Sequence, residues 1–156
     1  MNTKQTKIGV LVSGGGTNLQ ALIDAQERGE LGNGRISLVI ASKPDVYALE
    51  RAKKHAIDSL VLARKEYDSI AAYSKALADA LEAAEIDLVV LAGFLTIIDE
   101  QVYERFPNRI LNVHPALIPS FCRTIGPASH SGVTICTVAP DTRTPFASAA
   151  SCTCRP

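Results

Sequence analysis

The chain has 156 residues, of which 47% are hydrophobic and 21% charged, enough for one domain with a hydrophobic core. Lys and Arg balance Asp and Glu at 16 each, so no overall basic field favours binding to nucleic acid or to a membrane surface. Residues 1–7 are polar and the apolar run after them is only a strand's length, which fits neither a secretory signal nor a membrane span; we expect a cytoplasmic protein.

The first half of the chain alternates apolar runs with helical patterns. Residues 8–12 predict a strand that leads into the glycine-rich segment 13–18. A helix is predicted over residues 18–28, because its apolar residues recur at helical spacing. Residues 36–41 are rich in branched side chains and predict a second strand, and residues 46–55 predict a second helix.

The second half repeats this alternation. Residues 59–62 predict a third strand, and Asp68 is the expected N-cap of the next helix. The apolar stripe of that helix recurs at i, i+3, i+7 and i+11 and consists of Ile70, Tyr73, Leu77 and Leu81. Residues 87–92 predict a fourth strand, residues 99–106 a short helix and residues 109–113 a fifth strand.

Alternating helices and continuous apolar strands predict an α/β fold, with a parallel-rich sheet, helices on both faces and right-handed crossovers. In such sheets, ligands bind beyond the carboxyl ends of the strands. Segments 13–18, 95–98 and 112–114 fall at or just past those ends. We therefore expect these three segments to converge on one edge of the sheet.

The chain changes character after Pro115. Six of the eight prolines lie from there to the end, and apolar periodicity is poor, so no element is assigned and a disordered or loosely attached segment is one expectation. The four cysteines also lie in this last quarter, without the paired C-x-x-C spacing of a zinc knuckle: Cys122, Cys136, Cys152 and Cys154. Neither a metal site nor a disulfide framework is expected.

The glycine-rich loop admits three interpretations. It is not a P-loop for ATP, because Thr17 and Asn18 stand where Lys and then Ser or Thr must follow the last glycine. A dinucleotide fingerprint is weakly supported, since Leu19 occupies a small-residue position and Ser42 the place of an acid. One phosphate monoester, bound by the N–H groups of Gly16, Thr17 and Asn18, needs neither feature. A tight turn without a ligand is the alternative.

Asn112 and His114 lie two residues apart, directly before Pro115, where an apolar run ends. Positions i and i+2 of a strand share one face, so both polar heads are expected to aim at one small volume. Asn112 can donate to an oxygen that gains negative charge, and His114 can donate a proton or stabilise that charge. Each residue by itself is also explained by ordinary turn or strand-end hydrogen bonding, but together they favour an acyl-transfer site.

An apolar loop, residues 92–98, follows the fourth strand. Its backbone groups could read the edge of a flat heterocycle while its side chains pack on the ring, and ordinary core burial explains the same residues equally well. Arg64 and Lys65 could contact an acidic group of a ligand, although a solvated surface pair is the simpler explanation.

Four segments together resemble the phosphoribosylglycinamide formyltransferases, folate-dependent enzymes of purine synthesis. These segments are residues 8–20, 42–45, 91–94 and 112–121. The similarity covers residues 8–122 and implies a Rossmann-like formyltransferase fold over residues 1–122, with 123–156 a divergent, shortened or misassigned tail of the same domain. It also implies transfer of a formyl group from the co-substrate 10-formyltetrahydrofolate to the amine of glycinamide ribonucleotide, by a monomer or homodimer.

The resemblance implies binding roles for two loops and one cation. The residues matching the segment that holds the ribonucleotide phosphate are Gly16, Thr17 and Asn18. The residues matching the loop that binds the pterin head are Leu95, Thr96, Ile97 and Ile98. Arg64 matches a further folate-contacting position.

The resemblance also implies the catalytic residues. Asn112 matches a residue that contacts the formyl group and the folate, and His114 matches the catalytic acid. Asp141 is the candidate for the carboxylate that raises the pKa of this histidine and orders a water for the proton shuttle. Around it the family pattern survives in fragments, with Ala139 where a His belongs and Arg143 in place of a Gly.

Three alternatives stay open. A 10-formyltetrahydrofolate hydrolase would use the same Asn, His and Asp with water as the acceptor, but such enzymes carry an additional N-terminal regulatory domain. A methionyl-tRNA formyltransferase would carry a C-terminal nucleic-acid module, and no basic module is seen here. A catalytically impaired module that binds folate or nucleotide is the third, because the C-terminal catalytic segment is altered.

Overall fold

A computed structural model of the chain describes residues 4–114 and 133–137. Its six strands are β1 (Thr6–Val12), β2 (Gly34–Ala41), β3 (Asp58–Val61), β4 (Leu88–Ala92), β5 (Ile110–His114) and β6 (Val133–Thr137). They form one sheet in the order β3-β2-β1-β4-β5-β6, and every neighbouring pair is parallel. The predicted parallel α/β fold is confirmed.

Four helices cover both faces of this sheet: α1 (Thr17–Glu27), α2 (Tyr47–Lys54), α3 (Ile70–Ala83) and α4 (Glu100–Arg105). Alternate strand residues point to opposite faces, so a single strand contributes to two cores. Val10 and Val12 of β1 are buried in the core beneath α1 and α2, and Leu11 is buried in the core beneath α3 and α4. The doubly covered β1 therefore lies at the centre of the molecule, and its carboxyl end is held rigidly.

The helix α3 begins one residue later than the sequence suggested. Ser69, and not Asp68, is its N-cap, and the Ser69 hydroxyl accepts a hydrogen bond from the Ala72 N–H at 3.0 Å. Ser69 directly precedes the first helical residue, so its oxygen reaches the third N–H of the helix, as a serine cap does. Three residues of the predicted stripe, Tyr73, Leu77 and Leu81, are fully buried, whereas Ile70 is 38% exposed.

Asp87 lies just before β4 and not within it. Its carboxylate accepts a hydrogen bond from the Lys7 N–H at 3.0 Å, and Lys4 Nζ lies 3.2 Å from its other oxygen. These two contacts, the backbone N–H first, lower the pKa of Asp87 below its ordinary value. The carboxylate thus joins the amino ends of β1 and β4, at the edge of the sheet opposite the predicted site.

Two elements were not predicted. A short 3₁₀ turn, Arg64–Glu66, links β3 to α3. The second is the strand β6, which pairs with β5 in parallel. It lies in the tail that was expected to be irregular and in which no element was predicted. Its β-branched residues are typical of a strand but stand among Ser-rich and Pro-rich segments that hide the pattern. The predicted boundary at residues 122 and 123 lies outside the described residues and stays a prediction.

No helix within residues 4–114 combines the length and apolar character needed to cross a membrane.

Candidate functional site

The strand order places the predicted site at a reversal of the sheet. From β1 the chain continues through β2 to β3 on one side, and β4, β5 and β6 follow on the other. The loop after β1 leads to α1 on one face, whereas the loop after β4 leads to α4 on the opposite face. Two loops that leave neighbouring strands in opposite directions open a crevice between them, which is where open α/β sheets bind ligands.

Ser13 joins the loops around this crevice. It follows β1 and is 5% exposed, and its hydroxyl lies 2.7 Å from the hydroxyl of Ser42, which follows β2 and is 3% exposed. The Ser13 oxygen also accepts a hydrogen bond from the Leu95 N–H at 2.9 Å, in the loop after β4. One buried hydroxyl therefore fixes the carboxyl ends of three adjacent strands relative to one another. Ser42 stands where a dinucleotide fingerprint would have an acid, and its role in joining these loops was not predicted from the sequence.

The three carbonyl groups of the glycine loop all accept hydrogen bonds from the two helices behind it. The Gly14 carbonyl accepts from the Ala48 N–H at 3.4 Å, the Gly15 carbonyl from Arg51 Nε at 3.0 Å and the Gly16 carbonyl from the Gln20 N–H at 2.9 Å. None of the peptide bonds in this loop is cis, so each of its peptide N–H groups points opposite to its carbonyl. The N–H groups of Gly15, Gly16 and Thr17 accordingly point away from the helices that hold the loop.

Gly16 is the N-cap of α1 and adopts the left-handed conformation, with φ 72° and ψ 31°. A left-handed residue followed by a helical one turns successive N–H groups towards a common point, the arrangement called a nest, which binds anions. Among the described residues, no side chain caps this helix, and its first turn carries no acidic residue. The N–H groups of Gly16, Thr17 and Asn18, the predicted phosphate donors, thus stand at a helix start where no carboxylate or hydroxyl of the described residues caps them.

Gly16 also brings α2 against the loop. A Cβ atom at this position would lie 2.7 Å from the Ala48 Cβ and 2.9 Å from the Ala48 Cα. By contrast, a Cβ at Gly14 or Gly15 would meet no atom within 4 Å. The glycine that packs against α2 is therefore required by space as well as by backbone conformation, and the two before it face open volume.

The loop after β4 is anchored at both ends. The Leu95 N–H bonds to Ser13, and the Asp99 N–H donates to the hydroxyl of the fully buried Ser74 at 3.0 Å. Between the anchors, the side chains of Leu95 and Ile97 are 74% and 56% exposed, whereas Ile98 is 5% exposed and packs in the core beneath α3 and α4. Core burial is the right interpretation for Ile98, and it is wrong for Ile97. Thr96 is half-buried.

Arg64 begins the 3₁₀ turn, and its Nη1 donates to the Tyr67 carbonyl at 2.7 Å. This contact closes the turn before α3, a structural role that the sequence did not suggest. A contact between Arg64 and folate stays a prediction.

Asn112 and His114 occupy the last half of β5. In the parallel register Asn112 pairs with Leu91 of β4 and with Ile135 of β6, and the half-buried Asn112 shares the face of β5 on which Ile110 packs beneath α3 and α4. His114 ends the strand, at the same edge of the sheet as the glycine loop. The side chain of His114 and the whole of Asp141 lie outside the described residues, so their roles stay predictions.

Arg51 is the cation that the sequence analysis missed. Besides its bond to the Gly15 carbonyl, its Nη1 donates to Gln20 Oε1 at 2.9 Å, and its guanidinium carbon lies 4.7 Å from the Tyr47 ring centroid. The helix positions of these residues gave no signal, because the contact depends on how α1 and α2 dock against each other. Within the described part of the chain, no cluster of three or more His, Cys, Asp or Glu side chains could hold a metal ion.

Comparisons with known proteins place this geometry in one family. The sequence model of the formyl transferase family matches residues 6–139. The chain is 42% identical over 115 residues to phosphoribosylglycinamide formyltransferase of Haemophilus influenzae, covering 74% of this chain and 54% of that protein. It is 38% identical over 122 residues to the trifunctional purine biosynthetic protein adenosine-3 of Drosophila melanogaster, covering 78% of this chain and 9% of that protein.

Solved structures give the same result. The glycinamide ribonucleotide transformylase 1 of Symbiobacterium toebii superposes with a TM-score of 0.72 and 43% identity, covering 77% of this chain and 56% of that one. The phosphoribosylglycinamide formyltransferase of Bacillus halodurans superposes with a TM-score of 0.71 and 35% identity, covering 74% and 59%. The chain spans only slightly more than half the length of these single-function relatives. In its sequence, its sheet and its glycine loop, the chain belongs to the formyl transferase family.

Proposed function

We propose that this domain transfers a formyl group from 10-formyltetrahydrofolate to the amine of glycinamide ribonucleotide. The observation that carries the proposal is the N–H cradle at Gly16, one strand away from the loop after β4 and two strands away from Asn112. A phosphorylated acceptor needs such a cradle, whereas water as an acceptor does not. The relatives named as phosphoribosylglycinamide formyltransferases support the same choice.

The phosphate of the ribonucleotide is assigned to the N–H groups of Gly16, Thr17 and Asn18. Support comes from the carbonyl groups of the loop, which are held by α1 and α2 so that the N–H groups face the crevice. The positive end of the α1 dipole adds to the attraction for a dianion. No acidic side chain of the first turn competes for these donors.

The pterin head of the folate is assigned to the loop Leu95, Thr96, Ile97 and Ile98. Two exposed apolar side chains, Leu95 and Ile97, stand on a backbone anchored at Ser13 and Ser74, and they offer a surface for a flat ring. The backbone of Ile98 is available to such a ring, and its buried side chain is not. Arg64 remains the proposed partner for an acidic group of the folate.

Formyl transfer begins when the acceptor amine attacks the formyl carbon. The formyl oxygen then becomes anionic, and we assign its stabilisation to the Asn112 amide and to protonated His114. The bond from carbon to the folate nitrogen breaks as a proton passes from the amine to that nitrogen, with Asp141 the proposed residue that orders the water relay. This chain's residues supply positioning, charge stabilisation and proton movement, and a metal is not part of the scheme.

The test combines the purified protein with 10-formyltetrahydrofolate and glycinamide ribonucleotide and follows the release of tetrahydrofolate. The proposal predicts release that requires the amine. His114→Ala should lower turnover by about 10²- to 10⁴-fold while leaving the affinity for the ribonucleotide nearly unchanged. The control is His55→Ala, which removes an imidazole away from the reacting groups: the half-buried His55 follows α2, bonds to Glu27 and lies 3.4 Å from the Gln20 amide nitrogen.

Each competing function gives its own result in the same assay. Release without the amine would identify a hydrolase, and binding of both ligands without release would identify a catalytically impaired module. Unchanged turnover in His114→Ala would remove this histidine from the mechanism. A monomeric or homodimeric state and a cytoplasmic location remain predictions for this protein.

A further inference from the structure

Arg51 contacts the glycine loop from behind, on the side opposite to the cradle. Its Nε donates to the Gly15 carbonyl at 3.0 Å, and its Nη1 donates to Gln20 Oε1 at 2.9 Å. The Tyr47 ring covers the guanidinium at 4.7 Å. Two hydrogen bonds in different directions and a stacked ring fix both the position and the plane of this side chain.

The bond to Gly15 controls one donor of the cradle. The Gly15 carbonyl and the Gly16 N–H belong to the same trans peptide, so they point in opposite directions. While the guanidinium holds the carbonyl on the α2 side, the Gly16 N–H must face the crevice. Without this bond, rotation of the peptide between Gly15 and Gly16 is less restrained, because Gly15 has no Cβ and a Cβ there would meet no atom within 4 Å.

The charge of the guanidinium acts in the same direction as its geometry. A cation at the oxygen end of a peptide polarises that peptide and makes its N–H a stronger donor. The positive charge also lies one peptide away from the Gly16 N–H, the proposed donor to the phosphate. Orientation and polarisation therefore both favour anion binding at Gly16, although the guanidinium need not contact the anion itself.

We infer that Arg51 is a positioning residue for the acceptor's phosphate, a role that nothing in the sequence analysis or the comparisons assigns to it. The inference rests on the proposed function, since the phosphate belongs to the ribonucleotide acceptor. It predicts that Arg51 sets affinity for phosphate-bearing ligands without affecting affinity for the folate, because the folate loop is anchored on the side chains of Ser13 and Ser74 and not on the peptide between Gly15 and Gly16.

The test compares Arg51→Gln and Arg51→Lys with wild type by isothermal titration calorimetry. The probes are glycinamide ribonucleotide, inorganic phosphate and 10-formyltetrahydrofolate. Arg51→Gln should raise the Kd for the ribonucleotide and for phosphate about tenfold, the effect of losing one charge-assisted hydrogen bond, and should leave the Kd for the folate unchanged. Arg51→Lys keeps the charge but not the hydrogen bonding in two directions, so its Kd for phosphate should lie between those of wild type and Arg51→Gln.

Lys54→Gln is the matched control. Lys54 lies on the same helix, its Nζ is 5.6 Å from the centroid of the same Tyr47 ring, and it carries the same charge. Because Lys54 makes no hydrogen bond to the glycine loop, the Kd of Lys54→Gln for phosphate should stay within about twofold of the wild-type value. A purely electrostatic effect of the helix surface would weaken binding equally in both variants and would overturn the inference.

Other outcomes are equally decisive. If Arg51→Gln leaves the affinity for phosphate unchanged, the inference is wrong. If it weakens the affinity for the folate as much as the affinity for phosphate, Arg51 supports the fold in general and the inference is also wrong. If Arg51→Gln does not fold, the Kd values of Arg51→Lys decide: a higher Kd for phosphate with an unchanged Kd for the folate supports the inference, and any other result contradicts it. Wild type that binds phosphate but not the ribonucleotide would refute the proposed function and leave the Arg51 comparison valid. Wild type that binds neither would refute both.

Discussion

Replacing Gly16 by Ala tests the cradle at the residue on which its shape depends. Ala at φ 72° is strained by about 1–2 kcal/mol. The added Cβ would lie 2.7 Å and 2.9 Å from two Ala48 atoms, one of them backbone, so α2 must move, at an overpacking cost of about 1–3 kcal/mol. We expect Gly16→Ala to lower the free energy of unfolding by about 2–5 kcal/mol, the sum of the two terms.

Gly15→Ala is the matched control, one residue away in the same loop. Its Cβ would meet no atom within 4 Å, and its φ lies outside the left-handed region. An alanine there acts through the unfolded chain and should change stability by less than about 1 kcal/mol. The two variants therefore separate the special geometry of Gly16 from a general effect of adding a methyl group.

Urea unfolding followed by circular dichroism gives the two stabilities, and calorimetric titration with inorganic phosphate gives the two affinities. Moving α2 removes the contacts that hold the loop carbonyls, so Gly16→Ala should also lose phosphate binding under conditions where it is still folded. Equal unfolding midpoints for the two variants, or intact phosphate affinity in Gly16→Ala, would refute the reasoning.

Three further predictions concern buried and charged groups. Ser13→Ala leaves the Leu95 N–H and the Ser42 hydroxyl without a shared buried partner, so urea unfolding should show a loss of about 1–3 kcal/mol, and a loss near zero would contradict the joining role. Tyr73→Phe removes a buried hydroxyl without a partner among the described residues, so stability at neutral pH should stay equal or rise. Burial raises the pKa of Tyr73 from 10.0 to about 12, so wild type should lose more stability than the variant as pH rises between those values, and parallel pH profiles would argue against this. Asp87→Asn removes a carboxylate whose contacts with Lys7 and Lys4 lower its pKa, so the stability that it contributes is lost as pH falls. The free energies of unfolding at about pH 6 and about pH 3 should therefore differ less in the variant than in wild type. An equal difference in the two proteins would count against these contacts.

The elements of the fold were largely predictable because their patterns are local. Each predicted strand contains a run of consecutive apolar residues, and the stripe of α3 shows in the spacing of Tyr73, Leu77 and Leu81. The exact cap was not predictable from residue type, since Asp68 and Ser69 are both good caps and only the start of the helix decides between them. The strand β6 was missed because its short pattern stands in polar surroundings.

The contacts that build the candidate site could not be predicted, because they join distant parts of the chain. Ser13 and Leu95 are 82 residues apart, and their hydrogen bond exists only because β1 and β4 are neighbours in the sheet. Likewise, Arg51 reaches the Gly15 carbonyl only after α1 and α2 have docked. The sequence predicts Gly16, Thr17 and Asn18 as donors, whereas the structure shows the contacts that hold the carbonyls paired with the N–H groups of Gly16 and Thr17.

The central claim is that backbone N–H groups at the start of α1 hold the acceptor's phosphate. The most direct measurement is the ¹H–¹⁵N amide spectrum of the protein during titration with glycinamide ribonucleotide and, separately, with inorganic phosphate. The account predicts that both ligands shift the amide protons of Gly16, Thr17 and Asn18 downfield, as hydrogen bonding to an anion does. Saturable binding of the ribonucleotide with these three amides unmoved would contradict it.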